Sequence, residues 1–367
     1  MIIDKLNYNN VAFRNFPKKM PYEDYDRHMQ KVSRELSDIA SVYTWGSINE
    51  PGISDLDLLI VLKGKGRLPI KYKSIYFMGK ITRYIAVHPF IIANKSVAEN
   101  ARIIYPDTIF KKISGSGVKF KSVGKAAKLR VCLLNDIIIR HLPRDFATIL
   151  RSKKINVREL LLRLKSLTYS LKVYYLITGK RIGNSAVYEK KILELRKNWF
   201  LLGEKEQKES IFRLYKEAFK ISLDIVDNFN KYLERNKIAK IGKKVKKIVY
   251  SGDKNKTIFL RKWRKSDVYS DDYAYLPVNL AAQLFYYSTQ KGVLSDYIRK
   301  NLKGDKLEYE YKYKKIARKR IGILNRQAYL SENHLHFPAF FDFGYRPKKG
   351  IINKIVLVGC NIKKLVR

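Results

Sequence analysis

Only two cysteines, Cys132 and Cys360, occur in 367 residues, with no CxxC pair and no Cys/His cluster. A disulfide framework and a structural zinc site therefore have no support, and a reducing, cytoplasmic setting is expected. Acidic residues are scarce as well: 33 Asp and Glu face 76 Lys and Arg, a formal net charge of +43. Long apolar runs are missing. Residues 273–290 carry no charge and approach membrane-spanning length, but they include Pro277, Asn279, Gln283, Ser288 and Thr289. That stretch reads as a buried or amphipathic helix, and no transmembrane segment is expected. The opening residues Met1-Ile2-Ile3-Asp4-Lys5 place an acid early and lack the apolar core of a secretory signal. No internal repeat and no low-complexity linker is present.

What remains is a chain of ordinary hydrophobic content, 46%, long enough for two or three packed units. A lysine-rich proteome accounts for part of the charge excess. A balance this one-sided also works against compaction through self-repulsion, which favours a polyanionic partner. RNA ranks ahead of DNA, and an anionic membrane surface comes second to nucleic acid.

The pattern along the chain predicts an α+β protein in three parts. Residues 1–113 read as a mixed-sheet domain, 114–238 as an all-α domain, and 239–367 as a smaller, basic, mixed α/β region that holds an acceptor. In the first part, Pro21 followed by Glu23 and Asp24 starts a helix whose Met29, Val32, Leu36 and Ile39 share a face. Strands are expected over 40–44, 55–62, 74–77 and 80–92, and a short helix over 108–113 capped by Asp107. Helices follow from Ala126 to Pro143 and over 157–178, the latter ended by Gly179. Two or three more helices fill 185–236, interrupted at Gly203. Further on, strands are expected over 257–263, 309–313, 337–343 and 351–358, with a helix over 276–287.

The chemistry concentrates in one stretch: Trp45-Gly46-Ser47, then Ser54-Asp55-Leu56-Asp57-Leu58 and an apolar run. In an extended chain, residues two apart point the same way, so Asp55 and Asp57 stand together while Leu56 and Leu58 enter the core. Two adjacent carboxylates repel unless a cation lies between them. A divalent metal bridging phosphates answers that need. Gly46 permits close backbone approach to a phosphate, and the Ser47 hydroxyl adds a donor.

This arrangement resembles the nucleotidyltransferase superfamily of the DNA polymerase β type, which includes poly(A) and CCA-adding polymerases, terminal uridylyltransferases, oligoadenylate synthetases and small antitoxin nucleotidyltransferases. The resemblance covers about the first hundred residues. It implies a mixed sheet with flanking helices, Mg²⁺ or Mn²⁺ held by Asp55 and Asp57, and a nucleoside triphosphate such as ATP held by Gly46 and Ser47. It also implies transfer of a nucleoside monophosphate with release of pyrophosphate. The chain departs from the family pattern at two points. Only seven residues separate Ser47 from Asp55, with Pro51-Gly52 making a turn between them. The third carboxylate that such enzymes carry on a later strand has no counterpart in residues 81–90, where Ala86 or His88 takes the place. His88 reads either as a substitute base or ligand for a softer metal such as manganese, or as a strand-end histidine with a local hydrogen bond. Asp107 is the next acid downstream.

Lys111, Lys112, Lys119, Lys121, Lys125 and Lys128 crowd the segment after the sheet. Lys240, Lys243, Lys244, Lys246 and Lys247 form a second run, with Tyr250, Phe259 and Trp263 beyond it. Bases interleaved with aromatics suit single-stranded nucleic acid, although aromatics at strand spacing also build cores. Three functions follow as alternatives: an active nucleotidyltransferase with an RNA acceptor, a non-catalytic relative that binds nucleic acid or aids assembly, and a transferase with a protein or small-molecule acceptor. The last is disfavoured where the acceptor is cationic.

Overall fold

In the computed structural model, residues 2–332 are described, except 65, 66, 73–77, 125, 253, 254, 267, 271 and 272. The strands expected over 74–77, 337–343 and 351–358, together with Lys125 and Cys360, lie outside the described residues. The protein is α+β, and its described residues divide into two units: 2–20 with 124–321, and 21–123 with 322–332. This differs from the three-part reading. The boundary after the first sheet falls at 123 rather than 113, and the helical block and the later strands share one unit.

In chain order, strand β1 (Ala12–Arg14) belongs to the first unit, and the second unit then begins with helix α1 (Tyr22–Leu36). Pro21 caps α1, with Glu23 and Asp24 in its first turn; Tyr25, Met29, Val32 and Leu36 form its buried face. Next come β2 (Ala40–Trp45), β3 (Leu58–Leu62), α2 (Lys80–Ile85), β4 (Ile91–Asn94), α3 (Lys95–Glu99), α4 (Ala101–Ile104) and β5 (Phe110–Ser114). The sheet order is β4-β3-β2-β5. β2 runs antiparallel to both β3 and β5, while β4 runs parallel to β3, so the sheet is mixed. Every residue of β3 is buried, as expected for an apolar strand between two partners.

Four local expectations in this unit are corrected. β3 starts at Leu58, not Asp55, because the preceding three residues form an extended lead-in held by isolated bonds rather than a ladder. The strand expected over 80–92 is the helix α2 followed by β4. Its β-branched residues suggested a strand, but Gly79 caps a single helical stretch that buries Ile85. Residues 108–113 hold no helix, and Asp107 caps none. The free edge of β2 recruits them as β5, with Trp45 opposite Phe110.

The first unit continues with α5 (Ala127–Arg140), α6 (Leu142–Ser152), β6 (Lys154–Asn156), α7 (Val157–Thr178), α8 (Ser185–Asn198) and α9 (Glu204–Arg235). Leu160, Leu161, Leu164, Leu167 and Leu171 of α7 are buried, Asn156 caps its start, and Gly179 ends it at φ 68°. α5 ends at Arg140, just ahead of Pro143 as expected, and Pro143 sits in the first turn of the next helix, α6, where its missing N–H costs nothing. Then follow β7 (Ala239–Ile241), β8 (Lys247–Gly252), β9 (Asn255–Leu260), β10 (Tyr269–Ser270), β11 (Tyr273–Pro277), α10 (Ala282–Ser288), α11 (Val293–Asn301), β12 (Leu302–Gly304), β13 (Tyr309–Tyr311) and α12 (Lys314–Glu332), of which residues 314–321 belong to this unit. The strand expected over 257–263 ends at Leu260. The helix expected from Leu276 begins only at Ala282, after β11 and a 3-10 turn over Val278–Ala281, because β11 pairs in parallel with β9. Among the described residues no helix is long and apolar enough to cross a membrane.

A polar cluster sits in the core of this unit. Arg320 and Asp136 form an ion pair, both fully buried. Gln283 donates to Asp136 and to the Tyr287 hydroxyl, and its carbonyl accepts from Asn135 at 3.0 Å and Tyr311 at 3.1 Å. Cys132 lies 3.1 Å from the Tyr311 hydroxyl, and burial raises its thiol pKa to about 12. It is a structural thiol rather than a nucleophile.

Candidate metal and nucleotide site

The lead-in to β3 is fixed from three sides. Pro51-Gly52-Ile53 turn the chain, with Gly52 at φ 89° and Ile53 fully buried. The buried Tyr25 hydroxyl from α1 accepts from the Gly52 N–H at 2.9 Å and donates to the Ser54 carbonyl at 2.7 Å. Tyr84 of α2 donates to the Gly52 carbonyl at 2.8 Å. The Leu56 N–H donates to the Ile85 carbonyl at 2.8 Å, and the Trp45 N–H donates to the Asp57 carbonyl at 2.9 Å. Leu56 and Leu58 enter the core, 1% and 0% exposed, as the alternation requires.

Asp55 and Asp57 therefore project together, as expected, though from an irregular segment. His88 joins them from the loop between α2 and β4: one ligand atom from each of Asp55, Asp57 and His88 lies within 4.8 Å of the others. His88 Nε2 stands 2.8 Å from Asp57 Oδ1, and its Nδ1 stands 2.9 Å from the Pro89 carbonyl. Burial by itself would lower the His88 pKa. The Asp57 hydrogen bond and charge, the Pro89 carbonyl and the Asp55 charge outweigh it and raise the value to about 9. Protonated, the imidazole offsets part of the charge of the two carboxylates.

The Gly46-Ser47 turn lies directly beyond Trp45, at the same end of the sheet as Asp57. Gly46 adopts φ 86°, which an L side chain disfavours, and a Cβ there would meet nothing within 4 Å. Glycine is needed for the bend, not for space. The Gly46 N–H donates to the Ile109 carbonyl at 3.1 Å, so this amide is engaged within the protein, while Ser47 is exposed. Ala86 is buried and offers no ligand.

β5 leaves Ile109 along the sheet edge, with Lys111 and Lys112 exposed. The following segment carries exposed Lys119 and Lys121 and is pinned at Tyr43, whose hydroxyl donates to the Ser116 carbonyl at 2.9 Å and accepts from the Val118 N–H at 2.6 Å. Half-buried Phe110 and Phe120 stack at 4.4 Å, Trp45 packs edge-on against Phe110 at 4.9 Å, and the Arg102 guanidinium lies over the Phe120 ring. In the other unit, Lys128, Lys240, Lys243, Lys244, Lys246 and Lys247 are exposed. Of the aromatics beyond the second lysine run, two are core side chains and the third is half-buried. Tyr250 and Phe259 are buried, and Trp263 donates its Nε1–H to the Tyr275 carbonyl at 2.9 Å.

No protein-family model matches the sequence, and no curated protein matches it. The functional reading rests on the site itself. Sequence reasoning missed Tyr25 and the Pro89 carbonyl. Tyr25 lies 29 residues before the Ser54 it holds, on a helix face that reads as ordinary core.

Proposed function

We propose that the chain is a metal-dependent nucleotidyltransferase that moves a nucleoside monophosphate from a nucleoside triphosphate to an RNA acceptor. The observation that carries this reading is the convergence of Asp55, Asp57 and His88 within 4.8 Å, beside the Gly46-Ser47 turn. Two carboxylates and an imidazole at that separation fit a divalent cation by charge and by donor type. Asp55 and Asp57 would hold Mg²⁺ or Mn²⁺. A bound ion of this kind neutralises phosphate charge and acidifies the attacking hydroxyl.

The residues of the chain do the positioning. The Ser47 hydroxyl binds a phosphate oxygen at the turn, since the Gly46 amide is committed to Ile109. The acceptor hydroxyl loses its proton to solvent and attacks the α-phosphorus, the bond to the bridging oxygen of the β-phosphate breaks, and pyrophosphate leaves with that oxygen. Lys111, Lys112, Lys119 and Lys121 line the edge that continues from Ile109 and would track an RNA backbone by phosphate contact.

The test is incubation with labelled NTPs, bulk RNA and Mg²⁺ or Mn²⁺, alongside Asp55→Ala and Asp57→Ala. Incorporation by the natural protein that either variant abolishes supports transfer; no incorporation with any nucleotide and either metal refutes it. One observation favours a second reading. His88 already sits 2.8 Å from Asp57, and no acid replaces it between residues 80 and 92. A non-catalytic relative that binds RNA would retain the fold with His88 in the metal's electrostatic role. RNA retention in a gel shift without any incorporation is the outcome that selects it.

A further inference from the structure

We infer that His88 is a metal ligand, and that with Asp55 and Asp57 it makes the site take a first-row transition-metal dication, manganese(II) in particular, over magnesium. This deepens the metal-dependent reading above and rests on it for the presence of an ion; what it adds is the ion's identity and the third ligand.

Three features support it. The first is orientation. The Pro89 carbonyl takes the Nδ1 side of the ring at 2.9 Å, which leaves Nε2 as the nitrogen that faces the carboxylates. A backbone carbonyl on the remote nitrogen is the usual outer partner of a ligating histidine; it fixes the ring and strengthens the other nitrogen as a donor. The second is spacing. Ligands on neighbouring octahedral positions, with bonds of about 2.1 Å, lie about 3 Å apart. His88 Nε2 and Asp57 Oδ1 are 2.8 Å apart, and one donor atom from each of the three residues falls within 4.8 Å of the others. The third is attachment. The Leu56 N–H holds the Ile85 carbonyl at 2.8 Å, so the Asp55-Leu56-Asp57 segment is tied directly to the end of α2, three residues before His88. The three donors are therefore set by one local frame.

The chemistry of the set then ranks manganese(II) above magnesium. Magnesium asks for oxygen donors and gives up water reluctantly. An imidazole in place of the third carboxylate removes one oxygen and one negative charge, both of which magnesium uses. Manganese(II) accepts mixed oxygen and nitrogen donors and still leaves positions for phosphate oxygens and water.

The experiment uses the full chain, stripped with EDTA and titrated with Mn²⁺ or Mg²⁺ alone, without nucleotide or RNA. Calorimetry should give Mn²⁺ at least about tenfold tighter than Mg²⁺. Pulsed EPR of the Mn²⁺ complex should show nitrogen coupling from one imidazole, lost in His88→Ala. His88→Asp should lower the Mn²⁺/Mg²⁺ preference by about tenfold or more, since it restores an oxygen set. Absence of nitrogen coupling in the bound Mn²⁺ spectrum of the natural protein overturns the inference. So does an unchanged preference in a folded His88→Asp, or no Mn²⁺ binding at all. The spectrum of the natural protein decides even where a variant fails to fold. Nitrogen-coupled Mn²⁺ with no nucleotide incorporation would sink the transfer reading and leave this inference standing. Incorporation without nitrogen coupling would do the reverse.

Discussion

Tyr25→Phe removes one oxygen atom and tests how the site is held. That hydroxyl is the partner of two groups in the turn before Asp55: it accepts from Gly52 at 2.9 Å and donates to Ser54 at 2.7 Å. Tyr25 is fully buried and Ser54 is 4% exposed, so water does not readily replace it. A buried donor or acceptor left unsatisfied costs about 1–3 kcal/mol. Two such groups, less some relaxation of the turn, give about 2–4 kcal/mol against the closed turn. The ring and its packing are untouched, so no cavity cost is added. At 1.4 kcal/mol per factor of ten, protection of the Gly52 amide from hydrogen exchange should fall by about 30-fold or more. Any ion at Asp55 and Asp57 must then also order the turn, and Mn²⁺ affinity should weaken by about tenfold. Tyr84→Phe removes the bond from a half-buried residue to the Gly52 carbonyl and should cost less, about 0.5–1.5 kcal/mol. The reasoning fails if Tyr25→Phe leaves both Gly52 exchange and metal affinity within twofold of the natural protein, or if Tyr84→Phe proves the more damaging change.

Three further outcomes are expected. In the first unit, Asp136→Asn leaves the fully buried Arg320 guanidinium without its anion and should destabilise by about 3–5 kcal/mol in thermal or urea unfolding, with Arg320→Met in the same chain recovering most of the loss; a cost under about 1 kcal/mol would contradict the ion pair. In EDTA, His88 should titrate near 9 by NMR and near or below its ordinary 6.5 in Asp57→Ala, where burial acts with less opposing charge. Because the folded value is raised, the stability that this pair contributes is fully present below about 6.5 and is lost as pH rises through about 9, so a pair that stabilises increasingly above pH 9 would refute the assignment. Finally, Lys111→Gln with Lys112→Gln should weaken RNA binding similarly across sequences and reduce the salt slope by about two, whereas an unchanged slope would place the phosphate contacts elsewhere.

Several elements could be read without coordinates because their signals are local. The 157–178 helix has its cap at Asn156, its stop at Gly179 and its leucines at helical spacing, and all three are observed. The face of α1 and the alternation of Leu56 and Leu58 against Asp55 and Asp57 are equally local. The misread elements are those whose state is chosen by a distant partner. The stretch expected as a helix over 108–113 instead supplies most of β5 (Phe110–Ser114) because the edge of β2 is free, and residues 273–277 become a strand because β9 lies alongside. Short apolar, β-branched stretches such as 80–92 carry no period long enough to separate helix from strand, so packing decides.

For the site, the residue types, the spacing of Asp55 and Asp57, the glycine bend at Gly46 and the excess of positive charge are written in the chain itself. These are properties of neighbours along the chain, and covalent geometry fixes them. Folding is what puts His88 2.8 Å from Asp57, gives the Gly46 amide to Ile109, and sets Tyr25 against the turn in front of the carboxylates. Each of those contacts joins segments about 30 or more residues apart, and only the closing of the β4-β3-β2-β5 sheet and the packing of α1 and α2 bring them within hydrogen-bond reach.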